Sequence, residues 1–204
     1  FVSRKLRQWP LATGTACLSQ EWRNSEVEQT TLDLFRRTGY FGLGYVEMKQ
    51  DARDGKYYLI EPNIGRPTGR SALAEASGVE LLYTMYCDVT GHPLPENRLQ
   101  QYTDTKWIYL RRDLQSALKY WRRGELTWRQ WRESVRGKKV EALFDWRDPA
   151  PFFGDWLRVI KQAIFGKNKK AATSAPQSTP PVERAKPQNG VAASEERKKM
   201  LCEQ

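Results

Sequence analysis

The stretch from Gly39 to Arg66, GYFGLGYVEMKQDARDGKYYLIEPNIGR, constrains the fold more than any other part of the chain. From Phe41 to Lys49, Leu43, Tyr45, Glu47 and Lys49 share one parity, and Gly42, Gly44, Val46 and Met48 share the other. Successive side chains of a strand point to opposite faces, so this spacing predicts a strand. Asp51, Asp54 and Gly55 are turn formers, after which Tyr57, Leu59, Glu61 and Asn63 resume the alternation, which predicts a β-hairpin. With Gln50 facing Lys56, Glu47 lies opposite Leu59 and is a diagonal neighbour of Glu61 on the same face, roughly 7–8 Å away. A slip of one residue would turn Glu61 and Asn63 to the other face, so the arrangement depends on loop length.

Two carboxylates on one face of a half-buried sheet repel each other and are costly to desolvate unless a cation lies between them. Glu47, Glu61 and the amide oxygen of Asn63 are hard oxygen ligands, suited to a magnesium ion that keeps waters and shares phosphate oxygens. Physics alone leaves a second reading open, a hairpin whose acids simply face solvent.

A Gly-Tyr-x-Gly strand carrying an acid, a D-x-x-D-G turn, and then the acid-Pro-Asn-x-x-Arg of Glu61 to Arg66 together resemble the metal-binding end of the ATP-grasp superfamily. The nearest likeness is to carboxylate–amine ligases and the carbamoyl-phosphate-synthase-like branch. It covers residues 1 to about 100, with Glu47 to Arg66 as its specific core. One departure is that Ile64 and Gly65 both stand between Asn63 and Arg66. The resemblance implies an α+β fold, an antiparallel sheet with packed helices forming the C-terminal part of the catalytic domain. It implies ATP and magnesium, or manganese, as cofactors, with Glu47, Glu61 and Asn63 as metal ligands. It also implies small carboxylate and amine substrates, with Arg66 as the catalytic cation near an acyl oxygen. The strand Phe1 to Trp9 would border the nucleotide and substrate cleft, where Lys5 or Arg7 meets a phosphate or carboxylate. A solvated edge strand guarded by cations is the competing reading. Downstream, GRPTGR (Gly65 to Arg70) offers two glycines, the donors of Arg66 and Arg70, and a helix start at Ser71, a candidate anion seat. An ordinary Gly/Pro turn would look similar.

The net charge of +10 is unevenly spread. Residues 1–105 carry 12 basic and 13 acidic side chains, residues 106–147 carry 12 and 5, and residues 148–204 carry 10 and 6. That pattern predicts a near-neutral catalytic part at 1–102, a basic, tryptophan-rich, mostly helical appendage at 103–170, and a disordered tail at 171–204 rich in proline and small polar residues. The chain starts with Phe1 inside what reads as a strand, so it is expected to be the C-terminal part of a longer protein. Cys17, Cys87 and Cys202 are scattered and odd in number, which with the single His92 predicts no zinc site and no disulfide, hence a reduced, cytoplasmic protein. No stretch reaches the roughly 20 apolar residues of a membrane span.

Between these landmarks, Leu11 to Asn24 shows no clear period and reads as a loop or irregular strand. A helix follows from Ser25, capped by Ser25 and Glu28, with Gly39 at its end and an apolar face toward the hairpin. Helices are predicted at Ser71–Ser77 and at Glu80–Thr90, the latter burying Leu81, Leu82, Met85, Tyr86 and Val89. Lys106–Leu110 reads as a strand. Helices then run from Asp113 to Arg123 and from Thr127 to Arg136, burying Leu114, Ala117, Leu118, Trp121, Trp128 and Trp131. The amphipathic segment beginning at Trp156, with lysines at 167, 169 and 170, reads as a terminal packed helix or, over 156–170, a peripheral membrane contact. Aromatic and basic residues in the second half leave a polyanion- or nucleic-acid-binding module as the alternative function; the helical spacing of the tryptophans argues against nucleic acid.

Overall fold

The computed structural model describes residues 1–165; the tail expected at 171–204 lies outside them. The fold is mixed α+β, and its core is a four-stranded sheet. β1 (Ser3–Trp9) pairs antiparallel with β2 (Thr15–Glu21), which pairs antiparallel with the short strand Lys106–Ile108. That strand pairs parallel with Lys139–Glu141, so the sheet is mixed and not purely antiparallel as expected. β2 explains why its sequence lacked a period: Ala16, Cys17, Leu18 and Ser19 are all buried, and a strand covered on both faces loses its alternation.

α1 (Ser25–Arg37) is capped one residue earlier than expected. Asn24, and not Ser25, accepts the Val27 amide at 2.9 Å. Gly39 takes φ +61 just past the helix end, as expected of a C′ glycine. The hairpin forms its own two-stranded sheet, β3 (Gly44–Gln50) and β4 (Tyr57–Ile64). A Cβ on Gly44 would come within 3.1 Å of Phe35 Cζ and 3.2 Å of the Asn63 carbonyl oxygen, so glycine there lets α1 approach the hairpin.

α2 (Ser71–Ala76) and α3 (Leu81–Thr90) follow, and α3 ends at Gly91 in the left-handed region. Of the expected buried face of α3, Leu82, Tyr86 and Val89 are exposed and Leu81 and Met85 are half-buried, and Cys87 is the residue fully covered. Beyond β5 (Lys106–Ile108) come α4 (Leu110–Arg122), α5 (Trp128–Ser134), β6 (Lys139–Glu141) and α6 (Ala150–Phe165). α5 opens on a capping box in which Thr127 and Gln130 bond reciprocally.

α4 is rotated from the expected orientation. Its covered residues are Arg111, Asp113, Ser116 and Ala117, whereas Leu118 and Trp121 face outward. The inward polar groups are satisfied by partners distant in sequence: Ser116 Oγ donates to the Gln8 carbonyl at 2.9 Å, and Asp113 is held by Arg7. A pattern that assigns charges to the solvent side cannot anticipate this. Trp128 is likewise exposed, stacked on the half-buried Trp131 at 4.4 Å between ring centroids. The composition shift at Thr103 marks a change of surface charge and not of packing, because β5 pairs with β2, α4 lies on β1, and residues 1–160 form one compact unit.

Candidate functional site

The hairpin brings its two acids closer than the sequence suggested. Glu47 pairs directly with Glu61 and Tyr45 with Asn63, while Met48 pairs with Leu59. Ile60 is therefore the extra residue of a bulge, and Gln50 faces Tyr57 instead of Lys56; the two shifts together correct the expected pairing of Glu47 with Leu59. Directly opposite residues share a face with Cβ atoms about 4.5–5.5 Å apart, so Glu47, Glu61 and Asn63 lie on one side of the ribbon. Pattern reading could not place the bulge, because an extra residue leaves no mark in an alternation that is already loose.

Glu47 is half-buried, Glu61 exposed, and Asn63 only 5% exposed. The Asn63 side-chain oxygen accepts a hydrogen bond from Arg66 Nη2, which ties the expected catalytic cation to the expected ligand set. An amide oxygen has two lone pairs, so Arg66 leaves one available. The turn that delivers Arg66 is fastened by Tyr40: its hydroxyl donates to the Leu43 carbonyl at 2.6 Å and accepts from the Gly65 amide at 2.7 Å. Gly65 takes φ +73, a conformation that favours glycine.

Two carboxylates and an amide on one face fit a hard divalent cation that completes its shell with water or phosphate oxygens. Among the described residues no three His, Cys, Asp or Glu side chains gather to hold an ion, so such a site would depend on those outer ligands.

The other expected ligand-binding residues are placed differently. Lys5 is exposed on β1, its Nζ donating to Gln8 at 3.3 Å, and belongs to the four-stranded sheet instead of the hairpin. Arg7 is buried, and its guanidinium is engaged by Asp113 through Nε at 2.7 Å and Nη2 at 2.9 Å, with Nη1 on Ser134 at 2.6 Å. In this arrangement Arg7 holds α4 and α5 to β1 and presents no donor pair to a ligand. Arg70 is half-buried ahead of α2, a helix of only six residues with no side-chain cap.

Sequence reasoning missed the buried polar groups that join distant elements. Asp113 also accepts from Trp131 Nε1 at 2.9 Å. Asp155 accepts from Arg111 Nε at 2.5 Å, and this pairing, ahead of the other contacts, lowers its pKa to about 2. Glu21 is buried and accepts from the Tyr102 amide at 2.9 Å and the Thr103 hydroxyl at 3.2 Å, holding a segment in which Tyr102 and Asp104 have φ +53 and +61. These partners lie 18 to 106 residues apart, and no local pattern carries such information.

No protein-family model matches the chain, and neither the curated proteins nor the solved structures give a significant match.

Proposed function

We propose that this chain supplies the metal-binding part of an ATP-grasp ligase, which uses ATP to activate a carboxylate as an acylphosphate for attack by an amine or similar nucleophile. The observation that carries the reading is the direct cross-strand pairing of Glu47 with Glu61, with Asn63 on the same face and Arg66 bonded to it. Glu47, Glu61 and Asn63 would hold the cation. A magnesium ion held by these residues would supply positive charge to offset that of the transferring phosphates. Asn63 positions Arg66, whose free guanidinium donors are the groups offered to an acyl oxygen. Lys5 and Arg70 remain candidates for phosphate or carboxylate binding, and the nucleotide clamp itself is assigned to a portion outside this chain.

The test has two readouts. In this chain, electron paramagnetic resonance of added manganese should report a bound ion that Glu47→Gln with Glu61→Gln abolishes, the fold remaining intact by circular dichroism. In a protein carrying the whole domain, Glu61→Gln should abolish magnesium-dependent ADP release. Undiminished turnover removes Glu61 from the mechanism.

One observation favours the second reading, a polyanion-binding surface. Trp121 and Trp128 are 59% and 60% exposed, contrary to the burial expected from their spacing, and the outward side chains of Arg122, Arg123 and Arg132 lie on the same two helices or their caps. Exposed indoles beside cations can stack on bases. Tight, salt-resistant quenching of tryptophan fluorescence by a single-stranded oligonucleotide would put this reading first; binding that fades steeply with salt would mark simple counterion release.

A further inference from the structure

α6 docks on the fold by the face that carries Asp155, beside the half-buried Phe152, Trp156 and Val159. Asp155 is buried and accepts from Arg111 Nε at 2.5 Å and Nη2 at 3.1 Å, from the Tyr109 hydroxyl at 2.9 Å and from Arg158 Nη2 at 2.9 Å. With 3.6 residues per turn, Phe153, Leu157 and Ile160 fall in a stripe about 60° wide, centred roughly opposite Asp155. All three are exposed. The sequence continues the same spacing to Ile164, which is also exposed. A helix at the surface of a water-soluble core carries one apolar stripe, turned inward, whereas α6 has a second one that faces out.

Two further features accompany the stripe. Trp146, 88% exposed, meets Phe144 edge-on at 4.8 Å, and Phe144 meets Phe152 of α6 at 5.4 Å, so an indole stands out beside the first turn of the helix. Lys161 is exposed on α6 about 70° from the centre of the stripe, and Lys167, Lys169 and Lys170 follow in the sequence. In the turn before the helix, Asp145 and Asp148 accept from the amides of Arg147 at 2.8 Å and Ala150 at 3.3 Å.

We propose that this face rests on an anionic lipid bilayer, with α6 lying in the plane of the headgroups. An interfacial helix needs an apolar face to enter the headgroup boundary, cations to meet anionic lipid, and indole at the interface level, and Trp146, α6 and its lysines supply all three. No described helix is long and apolar enough to cross a membrane, so the contact is with the surface. A second copy of the chain would cover the same stripe but would bring a second net charge of +10 against the first, which anionic headgroups complement. This contact is independent of the ligase reading: it would hold an activated-carboxylate enzyme, or any other, against a membrane.

The test is co-sedimentation of the 204-residue chain with vesicles of phosphatidylcholine, with and without phosphatidylserine. The wild type should pellet with the anionic vesicles and less with the neutral ones. Leu157→Glu with Ile160→Glu should lower partitioning by at least about tenfold with an unchanged circular dichroism spectrum. The milder Leu157→Ser should lower it several-fold, should the double variant fail to fold. Lys167→Gln with Lys169→Gln and Lys170→Gln should remove the preference for anionic over neutral lipid. A wild type that stays in the supernatant overturns the proposal, as does a folded double variant that pellets like the wild type. So does a dimer in size-exclusion chromatography that Leu157→Ser dissociates without any vesicle binding.

Discussion

Replacing Asp113 by alanine should destabilise the chain more than any exposed substitution. The Asp113 side chain has no exposed surface, and its two oxygens take a bidentate pair from Arg7 at 2.7 and 2.9 Å and a third bond from Trp131 at 2.9 Å. Removing it leaves the Arg7 guanidinium buried without a counter-charge, a loss of about 3–5 kcal/mol. For a chain of this size each kcal/mol moves the melting temperature by about 2–4 °C, so Asp113→Ala should lower it by roughly 6–20 °C. The informative comparison is the paired change Arg7→Met with Asp113→Leu. It removes both charges and fills the site with apolar groups, so it should recover most of that loss, minus about 1 kcal/mol for the partner taken from the half-buried Trp131 N–H. Thermal and urea unfolding followed by circular dichroism read both variants. A loss below about 1 kcal/mol for Asp113→Ala, or a paired variant as unstable as the single one, would refute the reasoning. Arg7 and Asp113 lie on either side of the boundary expected near residue 103. Unfolding in two separate steps would therefore also refute the single compact unit described for residues 1–160.

Asp155 gives a pH dependence of defined sign. Its pKa is lowered to about 2, chiefly by the hydrogen bond from Arg111, so its contribution, about 2 kcal/mol, is present above pH ~4 and lost as pH falls toward 2. The stability gap between wild type and Asp155→Asn should narrow over that window; a gap independent of pH would contradict the pairing. Cys17 is buried, and that burial, reinforced by Asp113, pushes its thiol up to about 12. It should resist alkylation at about pH 8 until the chain unfolds, by site-resolved mass spectrometry. Modification of Cys17 ahead of the unfolding transition would show that β2 is not covered as described.

Local sequence determined a good deal of this protein. The alternation and turn residues of Tyr45 to Asn63 specify a hairpin, Gly39 and Gly91 end their helices, and Thr127 with Gln130 opens α5, because each signal involves groups only a few residues apart. The two acids on one face of the hairpin were legible as well. Their direct pairing was decided by two shifts of one residue each, Gln50 pairing with Tyr57 at the turn and the bulge at Ile60, neither of which changes composition. Sequence also pointed the apolar residues of α3 and α4 inward, and there the tertiary structure chose otherwise. Asp113, Ser116 and Arg111 could turn into the fold because Arg7, the Gln8 carbonyl and Asp155 met them there. A buried polar group is stable only when its partner arrives, and partners 44 to 108 residues away are set by the packing of the whole chain rather than by any stretch of it.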